Sequence, residues 1–278
     1  MTAATLDARP ATAAARPAHL TFAHVVRSER IKFFSVRSTA WSLAITFLVM
    51  VGFAAILATA AVSAAEDPEL GMVFSGTDVA TGGYLFASMV VAVLGVLIVS
   101  AEYSTGMIRS TFAAVPRRLP ALAAKAIVLA VTTFVVGVLG VLVSYVVTLP
   151  ILAPHDLQAD LGSLETWRIF LGTGLYLAAI ALLAFGLGAL IRHSAGAITA
   201  ALGVILLIPM LLAILGGWLT WVTNVSPYLP TSAGERLMVT DAAVVDGTLA
   251  PWVGFGVLVG YVVVVNAVAA VLVRRRDA

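Results

Sequence analysis

Apolar residues along this chain gather into six long blocks, approximately Trp41–Ala65, Tyr84–Ser100, Ala126–Leu149, Ile169–Ile191, Ala197–Trp221 and Trp252–Val273, and none of the blocks contains Asp, Glu, Lys or Arg. A helix rising about 1.5 Å per residue needs about 20 apolar residues to cross a hydrocarbon core of roughly 30 Å. The pattern therefore predicts an all-α integral membrane protein with six transmembrane helices over residues 41–273. Ahead of the first block the period changes. In Thr21–Arg37 the residues Phe22, Val25, Val26, Phe33 and Val36 fall within an arc of about 100°, with Lys32 on one side and Arg30 and Arg37 on the other. This predicts an amphipathic helix at the membrane interface over residues 21–40, following a disordered tail of residues 1–20.

Composition agrees: 61% of residues are hydrophobic and 11% charged, with a mean hydropathy of +1.07, against about 25% charged in a soluble domain. The formal charge of +2 is too small to argue for nucleic acid, so the placement of charge matters more. Fourteen of the sixteen Lys and Arg residues fall on one side of the six blocks, and only Arg168 and Arg236 on the other. By the positive-inside rule the basic side is cytoplasmic, with both termini there and residues 274–278 forming a basic tail. The stretch before the first block lacks a short apolar region with a cleavage site and reads as part of a retained signal anchor. The opposite loops are acidic, carrying Glu66, Asp67, Glu69 and Asp78, then Asp156, Asp160 and Glu165, then Glu235, Asp241 and Asp246. Trp41, Trp218, Trp221 and Trp252 sit near block ends, where indole rings anchor at headgroups.

Candidate chemistry is sparse. The chain has no cysteine, and His19, His24, His155 and His193 stand in separate segments without the spacing of a metal site. No Gly-Lys pair exists for a phosphate-cradling loop, because Lys32 follows Ile31 and Lys125 follows Ala124. The blocks hold no His, Asp or Glu to act as base, so no catalytic residue and no metal ligand is expected, and any ATP with its Mg must be bound by another chain. Missing intramembrane charge also argues against ion-coupled secondary transport. Asn266 is expected to make an interhelical hydrogen bond, Pro209 to kink the fifth helix, and Gly256-x-x-x-Gly260 to serve either intrachain packing or contact with a second subunit.

Two elements on the basic side remain. Glu29 falls inside the apolar arc, where it faces a protein partner or a local cation, or pairs with Lys32 or Arg30 along the helix. The long connection from Glu102 to Lys125 is the second. Gly106 permits a break, Met107–Val115 can form a short helix with Arg109 projecting, and Pro116 and Pro120 stop it before the third block. A plain basic loop held by anionic lipid is the alternative.

These residues resemble the permease subunits of ABC exporters of the second type. The resemblance rests on Ser28-Glu29-Arg30-Ile31-Lys32-Phe33 with Val36-Arg37-Ser38-Thr39, on Glu102-Tyr103 with Gly106-Met107-Ile108-Arg109, on Ala114-Val115-Pro116-Arg117-Arg118, on Ala124-Lys125, and on Gly186–Arg192 before the fifth block. It implies that residues 21–40, with Glu29, Arg30 and Lys32, form a connecting helix. It also implies that Glu102, Tyr103, Gly106, Arg109, Pro116, Arg117 and Arg118 form or frame a short cytoplasmic coupling helix docked on a separate ABC ATPase. The third acidic loop, 222–251, would partly re-enter the membrane. By that resemblance a second permease copy or a sister permease would complete the pathway in the plasma membrane, and a cavity lined by uncharged side chains is expected to favour amphipathic or lipophilic cargo. A non-transporting partner-binding protein, such as an immunity or sensor subunit, and a secondary transporter are the alternatives.

Overall fold

In the computed structural model of this chain the described residues are 21–67, 69, 71–104, 106, 118–241 and 248–275. They form helices and connecting turns with no strand, and six helices among them are long and apolar enough to cross a membrane. Helix α1 (Phe22–Ser35) ends where Val36 turns extended, and α2 (Arg37–Glu66) starts at once, so residues 37–40 belong to the first long helix. A short α3 (Gly76–Thr81) opens on a capping box, in which Ser75 Oγ accepts from the Asp78 amide at 3.1 Å and the Asp78 carboxylate from the Ser75 amide at 3.0 Å. Then come α4 (Tyr84–Ser104), α5 (Arg118–Leu152) and α6 (Leu164–Ile191).

These helices run past the apolar blocks. Helix α4 carries Glu102 in its last turn, and α5 starts early enough to take in Lys125, with Pro120 in its first turn, where a missing amide hydrogen costs little. Backbone hydrogen bonding continues as long as partners exist for the side chains, so a hydropathy boundary underestimates the helix wherever charges pair. The blocks themselves are free of charge as expected, yet the continuous helices are not.

The fifth long helix is segmented. Helix α7 (Ser194–Leu202) passes into a π-helical turn, Gly203–Leu207, and then α8 (Ile208–Gly216). Pro209 has no amide hydrogen to offer the preceding turn, and the ladder widens just before it. The helix stops at Gly216, short of Trp221. Residues 220–238 follow as broken pieces, α9 (Thr220–Val225), a 3-10 turn, α10 (Pro230–Glu235) and a second 3-10 turn, before α11 (Pro251–Arg275).

Helix α6 is the centre of the bundle. Its most apolar stretch is 72% buried, against 11% for α7–α8 and 17% for α11, and α4, α5 and α11 all pack on it. Small residues set the approach. A Cβ at Gly95 would meet the Ala181 backbone, one at Gly188 the Val96 backbone, and Gly137 faces Gly174. Asn266 donates to the carbonyls of Leu182 at 3.0 Å and Val262 at 2.9 Å, tying α11 to α6 as expected. Asn266→Leu is expected to lower stability by about 0.6 kcal/mol and by no more than about 1.7, read as a thermal shift in lipid nanodiscs. Gly256 and Gly260, by contrast, meet nothing among the described residues and lie on an exposed face, so they do not pack against the described part of the chain. Trp41, Trp218, Trp221 and Trp252 are all exposed.

At the acidic end the chain's two isolated arginines fasten the segment between α8 and α11. Arg168 donates to the Val239 carbonyl at 2.9 Å and pairs with Asp241 at 3.0 Å. Arg236 Nε donates to the Leu249 carbonyl at 3.1 Å and Nη2 to Thr248 Oγ1 at 2.9 Å. Basic side chains spent on backbone carbonyls are local anchors, which accounts for their position opposite the other fourteen.

Candidate functional site

At the basic end, α1 crosses the beginnings and ends of the long helices and packs chiefly on α5. Its buried residues are Val25, Glu29 and Phe33, spaced by four, so one stripe of α1 faces inward and Glu29 sits in the middle of it. Phe22, Ile31, Phe34 and Val36 remain exposed.

The inward Glu29 meets a cation from another helix. Lys125 Nζ lies 2.6 Å from Glu29 Oε2 and 2.6 Å from Glu102 Oε1. Lys32 Nζ completes a ring, 2.9 Å from Glu102 Oε1 and 3.3 Å from Glu29 Oε1. Glu29, Glu102 and Lys125 are each buried, with side-chain exposures of 7%, 4% and 6%, while Lys32 keeps 32%. Two carboxylates and two ammonium groups cancel, so the site is neutral as a whole and each buried charge has an opposite neighbour in bonding contact. Without that, desolvation would be prohibitive. Burial opposes the charge on Lys32, but the Glu102 and Glu29 carboxylates outweigh it and hold its ammonium above the usual lysine value. The support from this lysine is therefore fully present at neutral pH and is lost only in strong alkali.

Three elements distant in sequence are joined by this ring: α1, the last turn of α4 and the start of α5. Both alternatives for Glu29 hold at once, since it pairs along its own helix with Lys32 and across to Lys125. Arg30 is exposed. Tyr103, next to Glu102, lies under the Arg192 guanidinium, whose Cζ is 4.9 Å from the ring centroid. Arg192 holds a left-handed conformation, φ 58°, and closes α6 through its amide to the Gly188 carbonyl at 3.0 Å. The end of α4 is thereby tied on one side to α1 and α5 and on the other to the turn between α6 and α7. Gly106, at φ +70°, follows the helix end in a conformation suited to glycine. Met107–Val115, Arg109, Pro116 and Arg117 lie outside the described residues, as does the side chain of Arg118.

Beside the ring is a cavity of about 220 Å³, walled by Phe33, Leu94, Leu97 and Ile98 and edged by Ser38 and Thr39. Its polar end is formed by the four charged groups.

Sequence reasoning assigned no role to Lys125, although a signal existed. The chain has fourteen arginines and only two lysines, and both lysines converge on the same two glutamates. A compact ammonium with three donors fits between two carboxylates where a planar guanidinium does not. Among the described residues no group of His, Asp or Glu is placed to hold a metal. No family model matches the chain, and no curated protein matches it significantly.

Proposed function

We propose that this chain is the membrane-spanning permease subunit of an ATP-binding cassette exporter of the second type, moving an amphipathic or lipophilic substrate outward by alternating access, with ATP and Mg bound by a separate cytoplasmic ATPase. The observation that carries this reading is the buried ionic junction of α1 with both flanks of the 105–117 segment. A permease driven from outside needs its force-receiving loop fastened to several helices at once, because a loosely hinged loop would absorb the displacement. Here Glu102 precedes the segment and Lys125 follows it, and both are bonded to Glu29 or to each other. A push on the segment would move α4, α5 and α1 together.

A second permease copy, or a sister permease, fits the uncovered surfaces. No residue of α8 is buried, and α11 exposes Trp252, Val253, Val263, Val264, Val268 and Val271. The basic face is taken as cytoplasmic, with both termini there and the protein in the plasma membrane.

The docking assignment is tested by reversing charge at Arg109 and Arg117 together and purifying the chain after co-expression with a candidate cytoplasmic ABC ATPase. Insertion is expected to be retained and the co-purified ATPase lost; undiminished co-purification would refute the assignment. One observation favours a second reading, a proton-coupled secondary transporter: a half-buried carboxylate, Glu235, accepts from Tyr176 of the central helix. Export that persists in vesicles lacking ATP but carrying a proton gradient would select that reading.

A further inference from the structure

A third carboxylate drawn in among the helices, the half-buried Glu235, lies at the acidic end and stands on geometry that owes nothing to the transporter assignment. Glu235 closes α10, which is wedged between α6 and α11. The wedge is tight. A Cβ on Gly234 would meet the Tyr176 ring and Leu258, and the Ala233 carbonyl approaches so closely that position 254 must be glycine. Tyr176 Oη donates to Glu235 Oε1 at 3.4 Å, and Tyr84 from α4 approaches the same carboxyl. The two rings pack edge to face with centroids 5.8 Å apart. Tyr176 is fully buried and is the thirteenth residue of the 28 in α6, about 18 Å along that helix.

What meets the Glu235 carboxyl is therefore phenolic: Tyr176 from α6 and Tyr84 from α4, with Ser88 behind Tyr176, while Leu258 and Gly254 of α11 pack on the adjoining Gly234 and Ala233. The neighbouring Arg236 is turned away to Thr248 and Leu249, and Arg168 is engaged with Val239 and Asp241. Among the described residues no cation pairs with this carboxyl. Desolvation opposes charge in such a place, and a carboxyl relieves it by taking up a proton.

We propose that Glu235 is a proton-binding site whose protonation latches α10 into the helix bundle and whose ionisation releases it toward the acidic face. Burial pushes the Glu235 carboxyl up to about 7 from its ordinary 4.5, while the hydroxyls of Tyr176 and Tyr84 pull it down. The latched state binds the proton more tightly than a released, hydrated state would. Latching is therefore strongest at or below pH 4.5, weakens as pH rises toward about 7, and changes no further above that.

Thr231 lies on α10, is 2% exposed, and belongs to a chain without cysteine, so Thr231→Cys makes a reporter of release. The full chain in nanodiscs is treated with a membrane-impermeant thiol reagent between pH 4.5 and 8, with and without Glu235→Gln. The uncharged glutamine mimics the protonated state, and the ratio of the two labelling rates removes the thiol's own pH dependence. That ratio is expected to rise by ~10-fold or more up to about pH 7 and then level off. A ratio flat with pH overturns the proposal. Infrared titration supplies the check that needs no cysteine. A protonated-carboxyl band that disappears near neutral pH should be absent in Glu235→Gln and should persist to higher pH in Tyr176→Phe, which has lost a donor to the charged form. A spectrum unchanged by Glu235→Gln overturns it equally.

Discussion

Lys125→Met is expected to destabilise the folded chain by roughly 3–5 kcal/mol, the largest effect of any single substitution at the basic end. The lysine is the only cation within bonding distance of both Glu29 Oε2 and Glu102 Oε1 among the described residues, and it is almost fully buried. Removing it leaves two carboxylates sharing one half-exposed lysine, so one buried negative charge is uncompensated. The penalty is mainly that of the stranded charge and much less the loss of the pair itself. Glu29→Gln and Glu102→Gln added to Lys125→Met should restore most of the stability, since an uncharged site has nothing left to desolvate. Chemical unfolding in nanodiscs measures both. Trypsin sensitivity at the exposed Arg27 and Arg30 of α1 reports whether that helix has come away. Single-variant stability equal to that of the parent would remove the ring from any mechanical role.

Gly95→Ala should have the next largest effect. The new methyl would meet the carbonyl oxygen and carbon of Ala181 and the amide of Phe185. All three are backbone atoms of the central helix, so they cannot rotate aside, and α4 must move off α6 along their closest seam. About 1–3 kcal/mol or more is expected from overpacking of this kind. Gly256→Ala is the control. Nothing lies within 4 Å of that position, so stability should be unchanged or raised by up to about 1 kcal/mol through helix propensity. The same variant also tests the exposed Gly256–Gly260 face. Loss of self-association at unchanged monomer stability would identify it as contact with a second copy.

The apolar blocks were enough to place all six long helices, because a run of about 20 apolar residues has few alternatives to a helix in lipid. A helix ahead of the first block was also legible, with the anomaly of Glu29 in it, but of the expected apolar arc only Val25 and Phe33 are buried, while Phe22 and Val36 are exposed. The partner of Glu29 was not legible. Lys125 is 96 residues away, and hydropathy assigns it to a loop of basic residues together with Arg109, Arg117 and Arg118. Only the packing of α1 on α5 buries Lys125 between the two carboxylates. Glu235 was read as one of three acidic residues in an external loop, for the same reason.

Composition and periodicity alone determined that this is a helical chain suited to a bilayer, how many of its helices are long and apolar enough to cross one, and between which of them its positive charge gathers along the sequence. Those properties sum over many residues, each contributing independently of its distant neighbours. The tertiary structure decided which charges are structural: Lys125 and Lys32 between two carboxylates, Arg168 and Arg236 on backbone carbonyls, Glu235 against two tyrosines. Burial and partnership of a charge depend on what a remote segment brings within 3 or 4 Å, and no local pattern encodes that distance.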